Sequence, residues 1–423
     1  MKNYLFIAFV LLLFCSCRKR YEAPVPNLDW DQYNSAAAIP LKNATGRKIE
    51  SVYTIEDAND VFGSDAALKW SYTINGTDTT YQLSFFCQKD ITYFICEGKH
   101  IDSTILLNGY WRRMVGTETG KARLTIAANA GGAKLLRNTP LTSNDEVIIS
   151  GTYGISDAVP ETPIRFSRTR PLNTSKPLEI VAHRGGGRSA DLLPASENSV
   201  EIIKLASRFG ATGIEIDVRM TSDGVPILFH DATLNERLII KNGMIGPIEN
   251  YSYAQLSNLI KLINGERIPT LREALNTMLY NTPLHYVWLD TKFSGSIQQV
   301  RDMQVEFLQK AAAIGRNINI TIGIPDKDVL ANFKKLPDYR NIPSVNELTP
   351  DDVQEVNSSI WGPRFTLGLQ NEEVNIAHSV GRRVFVWTLD TPDNIREYLY
   401  NGQFDGILTN YPSAVAYYYY ARQ

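Results

Sequence analysis

The fold turns on residues 213–231, GIEIDVRMTSDGVPILFHD. Apolar Ile214, Ile216 and Val218 alternate with Glu215 and Asp217, a strand pattern that sets the two carboxylates on one face. A polar turn follows, then a second apolar run ending on His230. Upstream, LEIVAHR (178–184) ends another short apolar run on His183 and opens into Gly185–Gly187. These are two of five histidines in the chain. Two imidazoles beside a same-face carboxylate pair can bind a divalent cation and move protons near neutral pH. The combination points to metal-assisted cleavage of a charged ester.

Downstream the same strand–helix alternation continues. Strand-like VPILFHD, HYVWLDTKF, INITIGI, NIPSVNEL, RVFVWTLD and FDGILTNYP interleave with amphipathic stretches such as TLREALNTMLY, IQQVRDMQVEFLQKAAAI and NIREYLYNG. With LEIVAHR and GIEIDVR this makes about eight strand units in about 245 residues, the scale of a (β/α)8 TIM barrel over 178–423. His183, Asp217, His230, Asp290 with Lys292, and Asp390 fall at C-terminal strand ends, where such barrels build their sites. A doubly wound open sheet is the runner-up. It lacks a Gly-rich strand–helix phosphate loop, because Gly185–Gly187 opens a longer loop instead.

The first half reads differently. Residues 1–17, MKNYLFIAFVLLLFCSC, have an early lysine, a short apolar run and small residues, the pattern of a secretory signal. Phe14–Cys17 resembles a bacterial lipoprotein cleavage box with Cys17 as the lipidated residue, although Phe14 stands where a small aliphatic residue is usual. The chain is therefore expected to be exported and anchored to a membrane by lipid rather than to span it. Residues 18–50 read as a polar tether or loosely packed entry, with Arg18–Arg20 as a solvated basic cluster. Residues 51–168 carry short runs rich in Thr, Tyr, Phe, Ile and Val, split by turn pairs, which predict a small antiparallel β-sandwich or barrel. Its aromatics, among them Trp70, Tyr81, Tyr93, Tyr110 and Trp111, read as core before they read as a lipid or glycan pocket. Cys87 and Cys96 fit a disulfide or two buried thiols. RTRPLNTSKP (168–177) reads as the linker. With 43 basic against 45 acidic residues the chain has no nucleic-acid signature.

Cleaving a phosphodiester requires charge neutralisation, a deprotonated nucleophile and a protonated leaving group. Glu215, Asp217 and Asp290 offer hard oxygens to Mg²⁺ or Ca²⁺. Arg184 and Lys292 can meet phosphate oxygens, and His183 and His230 can share the base and acid roles. The ordered set HRGGG, SEN, GIEIDVRMTSDGVPILFHD, RIPTLREAL, the Trp-Leu-Asp-Thr-Lys strand, VFVWTLD and FDGILTNYP resembles the glycerophosphodiester phosphodiesterase family across the whole second half. The resemblance implies a TIM barrel, a divalent cation, and hydrolysis of glycerophosphodiesters to glycerol 3-phosphate and an alcohol. It implies His183 and His230 as acid/base pair, Glu215 and Asp217 as metal ligands, Arg184 and Lys292 as phosphate holders, and Glu197 as a supporting residue. Trp387 fits a glycerol or head-group contact or plain barrel packing. Phe229 and Trp288 read as core, and His100, His285 and His378 as structural.

The chain departs from the family pattern in three places. Asp290 stands where the family usually has Glu. Asp390 stands where it often has Asn, with Asn410 near its usual Asp. The loop between His183 and Glu197 carries Arg188 and Asp191. Two rival readings stay open: a lyase on the same barrel that releases a cyclic phosphate, and a non-catalytic lipid- or glycan-binding lipoprotein.

Overall fold

Antiparallel strands between residues 51 and 170 close on themselves. The structure, a computed structural model, describes residues 25–137, 139–142 and 144–422; the expected signal and lipidated Cys17 lie outside the described residues. The strands are β1 (Ile39–Pro40), β2 (Ser51–Glu56), β3 (Asp65–Asn75), β4 (Asp78–Cys87), β5 (Thr92–Ile101), β6 (Thr104–Arg113), β7 (Thr119–Ile126), β8 (Ile148–Tyr153) and β9 (Thr162–Arg170). The sheet runs β5-β4-β3-β2-β9-β8-β7-β6, and β6 pairs back onto β5. Among the described residues this is an eight-stranded closed barrel, so of the sandwich and the barrel it is the barrel that forms. Period-2 alternation fills it: Leu68, Phe85, Phe94, Leu107, Leu124 and Phe166 point inward and are fully buried. Phe85, Phe94 and Phe166 pack with ring centroids 4.9–5.8 Å apart, and Phe62 plugs against Phe94 at 4.9 Å. Closure needs close strand approach at Gly109, where a Cβ would lie 2.1 Å from the Ile95 carbonyl oxygen.

Residues 31–49 are not a tether. Helices Asp31–Asn34 and Asn43–Ile49 flank β1, which adds to β5, and Gly46 lies flat against the Trp70 ring with no room for a Cβ. The stretch has polar composition because only one side of it is covered. Leu41 and Ile49 supply its buried contacts.

The second half holds β10 (Glu179–Ala182), β11 (Gly213–Met220), β12 (Pro226–Leu228), a small ribbon of β13 (Thr233–Leu234) and β14 (Gly246–Pro247), then β15 (Tyr286–Thr291), β16 (Asn319–Ile324), β17 (Ser344–Asn346), β18 (Ile360–Trp361), β19 (Arg383–Val386) and β20 (Gly406–Thr409). Eight of them are parallel and close in the order β10-β11-β15-β16-β17-β18-β19-β20. This is the TIM barrel, with a helix after every strand: Val200–Ala206, Leu271–Asn281, Gln298–Ala313, Lys327–Phe333, Pro350–Glu355, Asn371–Ser379, Pro392–Asn401 and Pro412–Ala421. Helix starts are set locally; Thr270 and Glu273 form a reciprocal capping box, and Ser199 caps Ile202. Trp288, Val345, Ile360, Phe385 and Leu408 fill the barrel interior.

One expected barrel strand is something else. VPILFHD supplies β12, which runs antiparallel to β11 and extends it beyond the barrel. The missing barrel strand is the two-residue β18, too short to show a pattern. Residues after β12 form an insertion with its own core, including Phe229, Leu238, Ile248, Leu256 and Ile268.

The two barrels share a core. Outward-facing Ala67, Phe86, Tyr93 and Ile95 of the first join Ala206, Phe209 and Ala416 of the second, with Tyr93 and Phe209 rings 5.4 Å apart. Tyr417, Tyr419 and Tyr420 of the last helix are buried, and the Tyr417 hydroxyl donates to Asp65 at 2.5 Å. Among the described residues no helix is long and apolar enough to cross a membrane.

Cys87 and Cys96 are both free. Cys96 pairs with Leu83 across β4/β5, four residues from Cys87, so the register holds the thiols apart. Burial pushes both thiols well above their ordinary range. Both are therefore expected to resist thiol reagents in the native protein and to alkylate in guanidinium without reductant. Intact-mass measurement checks this, and a cysteine that stays unmodified until reductant is added contradicts the register.

Candidate active site

Parallel register builds the acidic centre. Pairing of β11 with β15 sets Asp217 directly beside Asp290, and Glu215 lies two residues earlier on the same face. Oxygens of the three carboxylates come within 4.8 Å of one another. Glu215 is 1 %, Asp217 0 % and Asp290 9 % exposed. Glu215 Oε1, Asp217 Oδ1 and Asp290 Oδ1 are buried with no hydrogen-bond partner. Three converging carboxylates, each with a buried oxygen that lacks a hydrogen bond, fit a divalent cation. Lys292, at the end of β15, lies 2.5 Å from Asp290 Oδ2 and 3.5 Å from Asp217 Oδ1.

The electrostatics follow from this crowding. Burial, then Asp217 and Asp290, push Glu215 well above the usual carboxylate range. Asp290 also moves up, chiefly through burial. Burial opposes ionisation of Asp217 too, but Lys292, then the two histidines and Asn198, hold it below its ordinary value. Lys292 rises because the carboxylates outweigh its own burial.

The histidines are held differently. His183 Nδ1 lies 2.8 Å from Asn410 Oδ1, which only accepts, so Nδ1 carries the proton and Nε2 is left open, 3.8 Å from Glu215 Oε2. Asp390 fixes that amide: Asn410 Nδ2 and N donate to its carboxylate at 2.6 and 2.8 Å. The Asp/Asn exchange noted in the sequence is thus between two residues in contact. Burial, then the neighbouring Arg184, push His183 down to about 3. His230 Nδ1 instead meets a carboxylate, Asp231 Oδ1, at 2.6 Å. Arg237 and Asn235 donate to Asp231 at 2.6 and 2.7 Å, and with burial opposing, these bonds and that from His230 hold it far below the carboxylate range.

Glu197 anchors rather than joins the acidic centre. It is 2 % exposed and accepts from Arg184 Nη1 at 2.7 Å, Arg237 Nη1 at 3.1 Å and Ser189 N at 2.9 Å. Arg184 sits in left-handed backbone (φ 54°), and its amide donates to Glu215 Oε2 at 2.8 Å. Trp387, half-buried at the end of β19, donates Nε1 to Gly362 O at 2.7 Å, with the Arg364 guanidinium 4.8 Å from its ring. Phe229 and Trp288 are core, and His285 and His378 pair with Glu179 and Asp405 away from the acidic centre.

Sequence reasoning missed several parts. Asn198 clamps Asp217 at both ends, donating to its side chain at 2.7 Å and accepting its amide at 3.0 Å. Arg219 donates to the carbonyls of His230 and Lys292 at 3.0 and 2.8 Å. Glu347 follows β17, and burial together with Asp290 pushes it well up. The strand-end rule applied to NIPSVNEL would have found Glu347. Arg237 lies in the insertion, where no periodicity marks it.

A model of the glycerophosphoryl diester phosphodiesterase family matches residues 183–414, more than half of the chain. The chain belongs to that family. Glycerophosphodiester phosphodiesterase 1 of Homo sapiens is 30 % identical over 151 residues, 33 % of this chain and 43 % of that protein. The glycerophosphodiester phosphodiesterase of Bacillus subtilis is 24 % identical over 278 residues, 59 % of this chain and 89 % of that one. The match thus spans about two fifths of the human relative's length. A phosphodiesterase structure from Oleispira antarctica, in complex with the product sn-glycerol-3-phosphate, is 21 % identical with a TM-score of 0.44, covering 56 % of this chain and 94 % of that one. A glycerophosphodiester phosphodiesterase structure from Parabacteroides distasonis is 23 % identical with a TM-score of 0.46, covering 57 % and 95 %.

The orphaned oxygens predict that Mg²⁺ or Ca²⁺ raises Tm, because a ligand of the native state at a hundredfold its Kd adds about 2.7 kcal/mol. Asp217→Asn should abolish that rise. Thermal unfolding with and without chelator checks it, and an unchanged rise in Asp217→Asn would remove Asp217 from the ligand set.

Proposed function

We propose that this protein hydrolyses glycerophosphodiesters to glycerol 3-phosphate and an alcohol. The observation that carries the reading is two histidines with Nδ1 tied down beside one trio of orphaned carboxylate oxygens. Glu215, Asp217 and Asp290 would hold a divalent cation, Mg²⁺ or Ca²⁺, which when bound supplies positive charge for the phosphate oxygens. Arg184 and Lys292 add to that charge. The Arg184 Nε is buried without a partner, although Glu197 takes its Nη1.

The histidine partners support a division of the proton roles. Nδ1 of His183 donates to a neutral amide, leaving Nε2 to take a proton from water as its oxygen bonds to phosphorus. Asp231 stabilises the imidazolium of His230, which gives its proton to the departing alkoxide as the phosphorus–oxygen bond breaks. Trp387 and Arg364 at the mouth would border the alcohol portion. A cyclic phosphate would arise from the same residues if a substrate hydroxyl replaced water. The presence of both histidines beside the Glu215, Asp217 and Asp290 trio supports catalysis over the binding-only reading.

His183→Ala and His230→Ala are each expected to lower kcat by about 10²- to 10⁴-fold. The His230→Ala loss should largely vanish with a nitrophenyl phosphodiester, whose leaving group needs no proton. ³¹P NMR of the products checks the reaction class: an accumulating cyclic phosphodiester overturns simple hydrolysis, and wild-type turnover in either variant overturns the assignment.

We also propose export and lipid anchoring through Cys17, on the strength of the N-terminal sequence. Metabolic labelling with a radioactive fatty acid should mark the wild type and not Cys17→Ser. Equal labelling of both would remove the anchor from Cys17.

A further inference from the structure

Arg112 is a fully buried cation that lies outside the TIM barrel. It sits near the end of β6, where its neighbour Trp111 points into the first barrel's core and Arg112 faces the second domain. Its Nη2 donates to the carbonyls of Leu192 at 2.7 Å and Asp191 at 3.0 Å, with Gly116 O at 3.5 Å. Its Nε and Nη1 have no partner in the protein. Two residues on, Met114 lies 3.7 Å from where a Cβ of Gly187 would stand, and it joins the apolar cluster of Leu193 and Ala195. The first barrel therefore touches both ends of the 187–193 loop, which carries Arg188 and Asp191.

The loop in turn holds both arms of the site. The Asp191 carboxylate accepts from Arg188 Nε and Nη2 at 3.1 and 3.2 Å. The Tyr411 hydroxyl accepts from Arg188 at 2.6 Å and lies 3.1 Å from Asp191 Oδ1, to which it donates. Tyr411 follows Asn410, the acceptor for His183. On the other side Ser189 exchanges hydrogen bonds with Glu197, at 2.9 Å from its amide and 3.1 Å to its hydroxyl. Glu197 carries Arg184.

Energetics give the reason for an arginine here. Burying a guanidinium costs several kcal/mol, a cost that an apolar side chain of similar volume would not carry. What Arg112 adds is a donor aimed at two successive carbonyls. Leu192 adopts left-handed backbone (φ 51°), which persists in a non-glycine residue only when its surroundings fix it.

We propose that Arg112 is a positioning residue through which the N-terminal barrel holds the 187–193 loop, and with it the Asn410–His183 and Glu197–Arg184 pairs. The proposal rests on the phosphodiesterase reading for its kinetic arm only. In the full chain, Arg112→Met is expected to keep or raise Tm, to lower kcat by about tenfold or more, and to speed hydrogen exchange of the 187–193 amides. Arg112→Lys should restore part of kcat. Tyr411→Phe, which cuts the link one step on, should lower kcat without changing exchange in the first barrel. Wild-type kcat with wild-type loop exchange in Arg112→Met overturns the proposal; if that variant does not fold, wild-type kcat in both other variants does so. If the wild type fails to hydrolyse any glycerophosphodiester, the function reading falls, and exchange alone decides: an unchanged loop overturns Arg112 and a loosened loop upholds it.

Discussion

Three carboxylates forced together on two adjacent strands are the constraint around which the rest of the site is arranged. At 4.8 Å and an effective dielectric near 20, each like-charged pair repels by about 3 kcal/mol. Lys292 offsets part of this, Asn198 satisfies one side-chain oxygen and the backbone amide of Asp217, and the Arg184 amide satisfies an oxygen of Glu215. Three oxygens remain without a hydrogen-bond partner, Asp217 Oδ1 having only Lys292 at 3.5 Å, an arrangement that suits a bound cation or protonation. The rise of Glu215 is the same statement in terms of ionisation. A fold that buries such a cluster must be rigid there, and the parallel β11–β15 register provides that rigidity.

Outside the trio, hydrogen bonds sort like residues into unlike roles. Both histidines donate through Nδ1, one to an amide oriented by Asp390 and the other to a carboxylate oriented by Arg237. Arg237 also reaches Glu197, which carries Arg184. A continuous chain Arg184–Glu197–Arg237–Asp231–His230 therefore ties Arg184 to the second histidine. The insertion after β12, which carries Arg237, is thereby part of the site.

How much of this was legible depended on whether a residue's role is written in local pattern. Glu215 and Asp217 were legible because a strand's period of two is visible in three apolar neighbours, Ile214, Ile216 and Val218. Asp290 and Lys292 were legible from their strand end. The barrel was legible as an alternation, yet VPILFHD imitated a barrel strand, and Ile360–Trp361 was too short to be seen as one. Residues 31–49 looked like a tether because packing one face of short helices leaves a mostly polar composition. The contacts of Asn410, Arg237 and Arg112 span up to 227 residues of sequence and leave no local signature.

The two barrels make sense as one unit once the first is seen to be full. An antiparallel barrel that encloses a ligand needs interior space, and here Phe62, Phe85, Phe94 and Phe166 occupy it. Its contribution must come from its outside. That outer face is apolar where it meets helix Pro412–Ala421 and polar where Arg112 meets the 187–193 loop. The apolar part fixes the orientation of the domains and the polar part fixes a loop. A packed barrel is suited to this because its strands are paired on both sides, so a side chain on its surface is aimed with the precision of a core residue. The loop it aims at bonds to Tyr411 on one side and to Glu197 on the other, so a support at Arg112 reaches both arms of the site through one segment.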